Sequence, residues 1–214
     1  MNEIEFVERP AAAEAEGLLV LHHGRGSNEH DLIGLADIFD PEQRLHVVSP
    51  QGPLTVAGWP GRHWYISQQV GFPEPVSFLE TCNRLARFHQ QTQDRTGITP
   101  ERTVLGGFSM GAVMSFATGL GPDRAAQAGI LALSGFIPTV DGWHPDWEGH
   151  LNTKVLVAHG QSDPMISFQF ALSAREQIAS AGLNLSSLDS MGAHNIAPEH
   201  LEPIREWLAS TLSQ

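Results

Sequence analysis

A chain of 214 residues, 41% of them apolar, is long enough to bury one sizeable core and has the composition of a globular protein. Twenty-four acidic against 12 basic side chains leave a formal charge of -12, which argues against a phosphate-binding face, and so against a nucleic-acid partner or an anionic membrane surface. The single Cys82 excludes an internal disulfide, suits a reducing compartment and, lying in a helical pattern, reads as buried filler.

The opening stretch MNEIEFVERPAAAEAEG carries acids where a secretion signal would carry basic residues, and no later run is long enough to span a bilayer. The expectation is a cytoplasmic location without membrane insertion. The first strand signal is GLLVLHH at 17–23, followed by the glycine-rich turn GRGSNEHDL. Glycines at 24 and 26 let the backbone curl, so that the Arg25 N–H can point at a substrate oxygen. This turn lacks the Gly-Lys-Ser/Thr ending of a phosphate loop and the glycine spacing of a dinucleotide site. His22, His23 and His30 have no helical His-x-x-x-His spacing, no cysteine partner and no acid cluster, so no metal is expected. His23 reads instead as a brace for its loop.

A second strand, RLHVVSP at 44–50, leads into a Gly/Pro/Trp-rich excursion at 51–75 and then a helical pattern near 76–95. Strand RTVLGGF at 102–108 runs into Gly107-Phe108-Ser109-Met110-Gly111 and a helical pattern at 110–120. Strand AGILALSG at 128–135 opens a second excursion, FIPTVDGWHPDWEGHL at 136–151. Strand TKVLVAHG at 153–160 precedes a helical pattern at 165–181, and LNLSSLDS at 183–190 precedes a terminal one at 198–212. Strands built almost wholly of Val, Leu and Ile belong in a parallel sheet covered by helices, which makes the fold class α/β. No repeat or linker divides the chain, so residues 1–214 are expected to form one domain. Both excursions follow a strand and should lie at the sheet's carboxyl edge, where open α/β folds bind ligands.

Ser109 stands where an apolar strand meets a helix, the setting a nucleophile elbow requires. The five-residue string alone is cheap; its context is not. So sharp a turn strains the serine backbone, exposes the hydroxyl and needs small neighbours two residues away on either side. At the helix start, the Met110 N–H and the partial positive charge there would stabilise an oxyanion. The competing role for Ser109 is a helix cap. A serine hydroxyl needs a histidine base and an acid to orient it, both downstream for this elbow. Asp163, just past the strand KVLVAHG, suits the acid, with Asp123, Asp141 and Asp146 as rivals. His194, in the loop between the last strand and the terminal helix, suits the base, whereas His159 and His200 read as packing or hydrogen-bonding residues. Phe72, Phe136, Ile137, Trp64, Trp143 and Met165 are candidates for an apolar pocket. The acidic surface favours neutral over strongly anionic esters at long range.

With these residues in hand, the chain resembles the phospholipase/carboxylesterase family of α/β-hydrolases, small lidless serine esterases that include the acyl-protein thioesterases. The resemblance runs from about residue 17 to the end, through LHHGRGSNEHDL, SPQGP, GGFSMGA, HGQSDPMI and GAHNIAPEHL in the family's order and spacing. It implies the α/β-hydrolase fold, a mostly parallel central sheet flanked by helices on both faces. It also implies a triad of Ser109, Asp163 and His194, an oxyanion hole from the Arg25 and Met110 backbones, and cofactor-free hydrolysis of carboxylic esters or thioesters, often by dimers. Trp64-Tyr65 occupies the place of a family aromatic pair beside the acyl pocket. Met110 and Ala112 stand where many thioesterases have Gln and Gly, Ser167 where proline is frequent, and Ala193 where glycine usually precedes the histidine. The expected activity is a carboxylesterase acting on small to medium neutral esters through an acyl-enzyme. A thioesterase or lysophospholipase is the alternative within enzymes, and an inactive hydrolase-fold binding module the alternative outside them.

Overall fold

Residues 17–22 have no polar side chain before His22 and are buried at every position, which a strand can achieve only with helices on both faces. The computed structural model describes residues 3–212. Its strands are β1 (Phe6–Arg9), β2 (Gly17–His22), β3 (Leu45–Pro50), β4 (Ser67–Gln69), β5 (Phe72–Pro73), β6 (Thr103–Phe108), β7 (Gly129–Leu133), β8 (Lys154–Gly160) and β9 (Leu185–Ser190). Its α-helices are α1 (Ala36–Phe39), α2 (Pro75–Thr96), α3 (Met110–Gly119), α4 (Phe168–Ser180) and α5 (Leu201–Leu212). Seven strands form one sheet in the order β1-β3-β2-β6-β7-β8-β9, parallel except for β1, while β4 and β5 pair as a separate hairpin.

The period of two along each strand divides the core between the two faces. Leu18, Val20 and Leu105 pack with Phe78, Leu85 and Val113 of α2 and α3, and Ile130, Val155 and Val157 join Phe116 of α3 and Ala171 and Ile178 of α4. The alternate residues Leu19, Leu21, Val104, Leu131 and Leu156 meet Phe39 of α1 and Ile204, Trp207 and Leu208 of α5 on the other side. Burying each such aliphatic side chain contributes about 1.5–3 kcal/mol, so the alternating pattern fixes which face each helix covers. Helix α3 is buried throughout, as a central helix must be, and its two hydroxyls, Ser115 and Thr118, donate to the Gly111 and Met114 carbonyls one turn back. Helix α2 has Pro75 in its first turn, the Glu74 carboxylate accepting from the Val76 and Ser77 N–H groups, and a left-handed Gly97 at its end. Cys82 lies on its buried face, where desolvation pushes the thiol up to about 12.

The strand order reverses direction between β2 and β6, which lie side by side with His22 opposite Gly107. The chain leaves β2 and β6 at the same carboxyl edge, so the loop after His22 and the turn after Phe108 converge. Such a switch point forms a crevice by geometry alone.

Candidate active site

The turn after β6 is strained as the sequence requires: Ser109 has φ 56° and ψ -119°, outside the conformations open to most residues at low cost. Its neighbours explain why only glycine is tolerated on either side. A Cβ on Gly111 would sit 2.0 Å from the His22 carbonyl oxygen, and one on Gly107 would sit 2.4 Å from the Gly111 carbonyl carbon. The Ser109 N–H is tied to the Leu133 carbonyl at 2.8 Å. Its hydroxyl makes no capping bond to α3; it lies 2.9 Å from His194 Nε2.

On the other side of the imidazole, His194 Nδ1 is 2.7 Å from Asp163 Oδ2. An ionised carboxylate only accepts, so Nδ1–H donates to Asp163 and Nε2 is left to accept from the Ser109 hydroxyl. The other oxygen, Asp163 Oδ1, accepts from the Met165 N–H at 2.8 Å and the Ile166 N–H at 2.9 Å. Burial alone would raise the pKa of this carboxyl; the Ile166 N–H, His194 and the Met165 N–H outweigh it and hold the carboxyl below its usual range. Phe108 packs against His194 with ring centroids 4.8 Å apart and planes tilted by 41°. His159 sends Nε2–H to the Ile166 carbonyl at 2.8 Å and lies 3.3 Å from Asp163, so it buttresses the acid loop. The rival acids lie elsewhere: Asp123 and Asp141 are exposed, and Asp146 accepts from the Gly149 N–H. His200 is buried in the turn before α5.

The loop after β2 is braced from beneath. His23 Nδ1–H donates to the Gly24 carbonyl at 2.7 Å, which leaves Nε2 to accept from the Gly52 N–H at 2.9 Å. Burial pushes its pKa down and keeps it neutral for both bonds. Trp64 donates Nε1–H to the His23 carbonyl at 2.8 Å. Gly26 adopts φ +79° and bonds to the Arg62 carbonyl at 2.9 Å. Arg25 and Met110 line the cleft that contains Ser109 and His194. Met110 opens α3, where an N–H has no partner within the helix, as an oxyanion donor requires.

The cleft encloses about 380 Å³, room for a small ester. Of the aromatic and apolar candidates, Tyr65, Phe136 and Met165 line it; Trp64, Phe72, Ile137 and Trp143 do not. Trp64 is wholly buried behind the β2 loop. Ile137 belongs to the core between α3 and α4. Trp143 turns inward to donate to the Ala117 carbonyl at 3.1 Å, and Phe72 points to solvent from the hairpin. Their places are taken by Trp59, Val70, Phe108 and Ile166. A larger cavity of about 620 Å³ lies between the end of α2 and residues 123–127, with His89 in its wall and no serine or cysteine. The reactive geometry is in the smaller one. No cluster of His, Cys, Asp or Glu fit for a metal occurs among the described residues, and none of their helices is long and apolar enough to cross a membrane.

The sequence profile described as Phospholipase/Carboxylesterase matches residues 2–212. Acyl-protein thioesterase 1 of Neurospora crassa is 29% identical over 225 residues, covering 95% of this chain and 90% of that protein. The crystal structure of esterase PE8 superposes with a TM-score of 0.83 at 26% identity, over 98% of this chain and all of that one. A carboxylesterase from Mesorhizobium loti shares the fold with a TM-score of 0.84 at 21% identity, over 96% of this chain and 94% of that one.

Proposed function

Because the chain belongs to the phospholipase/carboxylesterase family of hydrolases, we propose that it is a serine carboxylesterase that cleaves small to medium carboxylic esters through an acyl-enzyme. One observation carries this reading: Ser109 Oγ, His194 Nε2, His194 Nδ1 and Asp163 Oδ2 form one unbroken chain of contacts at 2.9 and 2.7 Å in a cleft. In the mechanism, His194 takes the Ser109 proton as the oxygen attacks the ester carbonyl, and Asp163 holds the imidazole and balances its charge. The N–H groups of Arg25 and Met110 receive the developing oxyanion. The imidazolium then protonates the leaving alcohol, and water activated by the same histidine releases the acid. Base assistance of this kind contributes roughly 10²–10⁴-fold, and one oxyanion donor roughly 10²–10³-fold. The chain is taken to act as one domain, in the cytoplasm and without a cofactor.

A thioesterase is the second reading, favoured by the names of curated relatives such as the Neurospora crassa protein. Hydrolysis of an oxygen ester and a thioester of one acyl group, with wild type and Ser109→Ala, separates the two. The esterase reading expects higher kcat/KM on the oxygen ester and loss of both activities in Ser109→Ala. A thioester preference transfers the assignment to the second reading, and undiminished turnover in folded Ser109→Ala removes both.

A further inference from the structure

Arg25 enters the mechanism above only through its backbone. Its side chain is exposed where it lines the cleft beside Ser109, with the guanidinium carbon 4.4 Å from the centroid of the Trp59 ring. A cation–π contact of this kind uses no N–H donor in a hydrogen bond, and a guanidinium can grip a planar anion in bidentate fashion. Among the described residues no carboxylate pairs with Arg25 and no acceptor takes its side-chain N–H groups, whereas Arg9, Arg44, Arg95, Arg175 and Arg205 each have a carboxylate partner. The Tyr65 side chain lines the same cleft, and its hydroxyl has no hydrogen-bond partner among the described residues. Burial pushes its pKa up while the charge of Arg25 pulls it back, so the phenol stays a protonated donor within the field of the guanidinium.

We propose that the Arg25 guanidinium, with the Tyr65 hydroxyl as a second donor, is a carboxylate-binding subsite, and that the preferred substrate is a short ester carrying its own carboxylate, such as the half-ester of a small dicarboxylic acid. This rests on the serine-esterase reading of the same cleft and revises its expectation of neutral substrates. The overall charge of -12 is spread over the whole surface and screened beyond about 8–10 Å at physiological ionic strength, so at the cleft the nearest unpaired cation decides. Asp31 also lines the cleft and by charge alone would invite a cationic ester. The aromatic face that such a cation needs, Trp59, is already covered by Arg25.

The test compares kcat/KM, followed by pH-stat, for three methyl esters of matched length: monomethyl glutarate, methyl pentanoate and methyl 5-(trimethylammonio)pentanoate. Wild type is expected to favour the anionic ester over both others by at least about tenfold, with the margin shrinking as salt rises from about 0.02 to about 0.5 M. Arg25→Gln keeps the backbone N–H, and the anionic-to-neutral ratio should fall towards one in it, a comparison that cancels any change in absolute rate. Arg25→Lys should restore part of the ratio. Equal or higher efficiency on the neutral or cationic ester in wild type overturns the proposal, as does a ratio unmoved by Arg25→Gln. In those cases continued hydrolysis of methyl pentanoate, lost in Ser109→Ala, leaves the esterase reading standing. No turnover of any of the three by folded wild type removes both.

Discussion

At the scale of single residues, the proposed catalysis depends on two hydrogen bonds to one imidazole. Asp163→Asn should leave the fold intact yet lower kcat by about 10⁴-fold, because an amide that donates to Nδ1 turns the ring into the wrong tautomer. Stopped assays with matched circular dichroism spectra check this; a loss below tenfold would mean that Asp163 does not orient His194. Since its backbone donors and His194 hold the Asp163 carboxyl below its ordinary range, it stays ionised throughout the mildly acid range. The acid limb of kcat/KM should therefore show a slope of one, set by the imidazole alone. A slope of two above about pH 4.5 would place a second proton on the same machinery. The meeting of these three side chains could be anticipated from the sequence because an elbow, an acid after a strand and a histidine in a late loop each occupy a position that the proposed chemistry demands. The pocket was much less legible. An apolar side chain suits a core as well as a cleft, and nothing in GWPGRHWY says that Trp64 turns inward to hold the His23 carbonyl while Trp59 lines the cleft.

At the scale of elements, the site is made by how closely α3 passes β2. The Gly111 position leaves no room for a methyl group against the His22 carbonyl at 2.0 Å, and backbone cannot step aside as a flexible side chain can. Gly111→Ala should lower stability by about 1–3 kcal/mol or more and shift the elbow, cutting activity beyond what the lost stability explains. Chemical denaturation read beside ester turnover tests it; wild-type values for both would show that the helix has slack. Ala112→Gly at the next position, which packs in the α3–α4 core, serves as the control, with a loss nearer 1 kcal/mol from helix propensity and a missing methyl. The inner strands and four long helices could be read from periodicity to within about three residues, because burial on both faces leaves a plain apolar run. The antiparallel edge strand β1, FVER, could not: it is half exposed, and its pairing with β3 comes from the backbone ladder. The hairpin of β4 and β5 and the one-turn α1 were hidden for a similar reason, being too short to show a period.

At the scale of the whole molecule, a buried histidine pair links the sheet to two helices on one of its faces. His22 at the end of β2 bonds through Nδ1 to Ser115 of α3 at 2.9 Å and through Nε2 to His89 of α2 at 3.0 Å. Burial drives the pKa of both down, His89 to about 3, whereas each regains a value near 6.5 on unfolding. The unfolded chain thus binds more protons below about pH 6.5, and stability falls with acidification from there towards the folded values. Unfolding free energy should drop by about 2 kcal/mol for His89 between about pH 7 and 5, with a further loss in the same direction from His22, and His89→Gln should flatten the curve. A stability profile level across that range would mean that the pair is protonated in the fold. The fold class followed from the run of strands and helices, while this internal linkage did not, because no spacing in sequence places residues 22 and 89 in contact. The claim on which everything else rests is that Ser109 is an activated nucleophile in a preorganised cleft. Labelling with a fluorophosphonate, followed by peptide mass spectrometry, tests it most directly. One adduct is expected, on Ser109, absent in Ser109→Ala and at least about 10²-fold slower to form in folded His194→Ala; an unlabelled Ser109 in folded wild type, or labelling that persists unchanged without His194, would contradict an activated nucleophile.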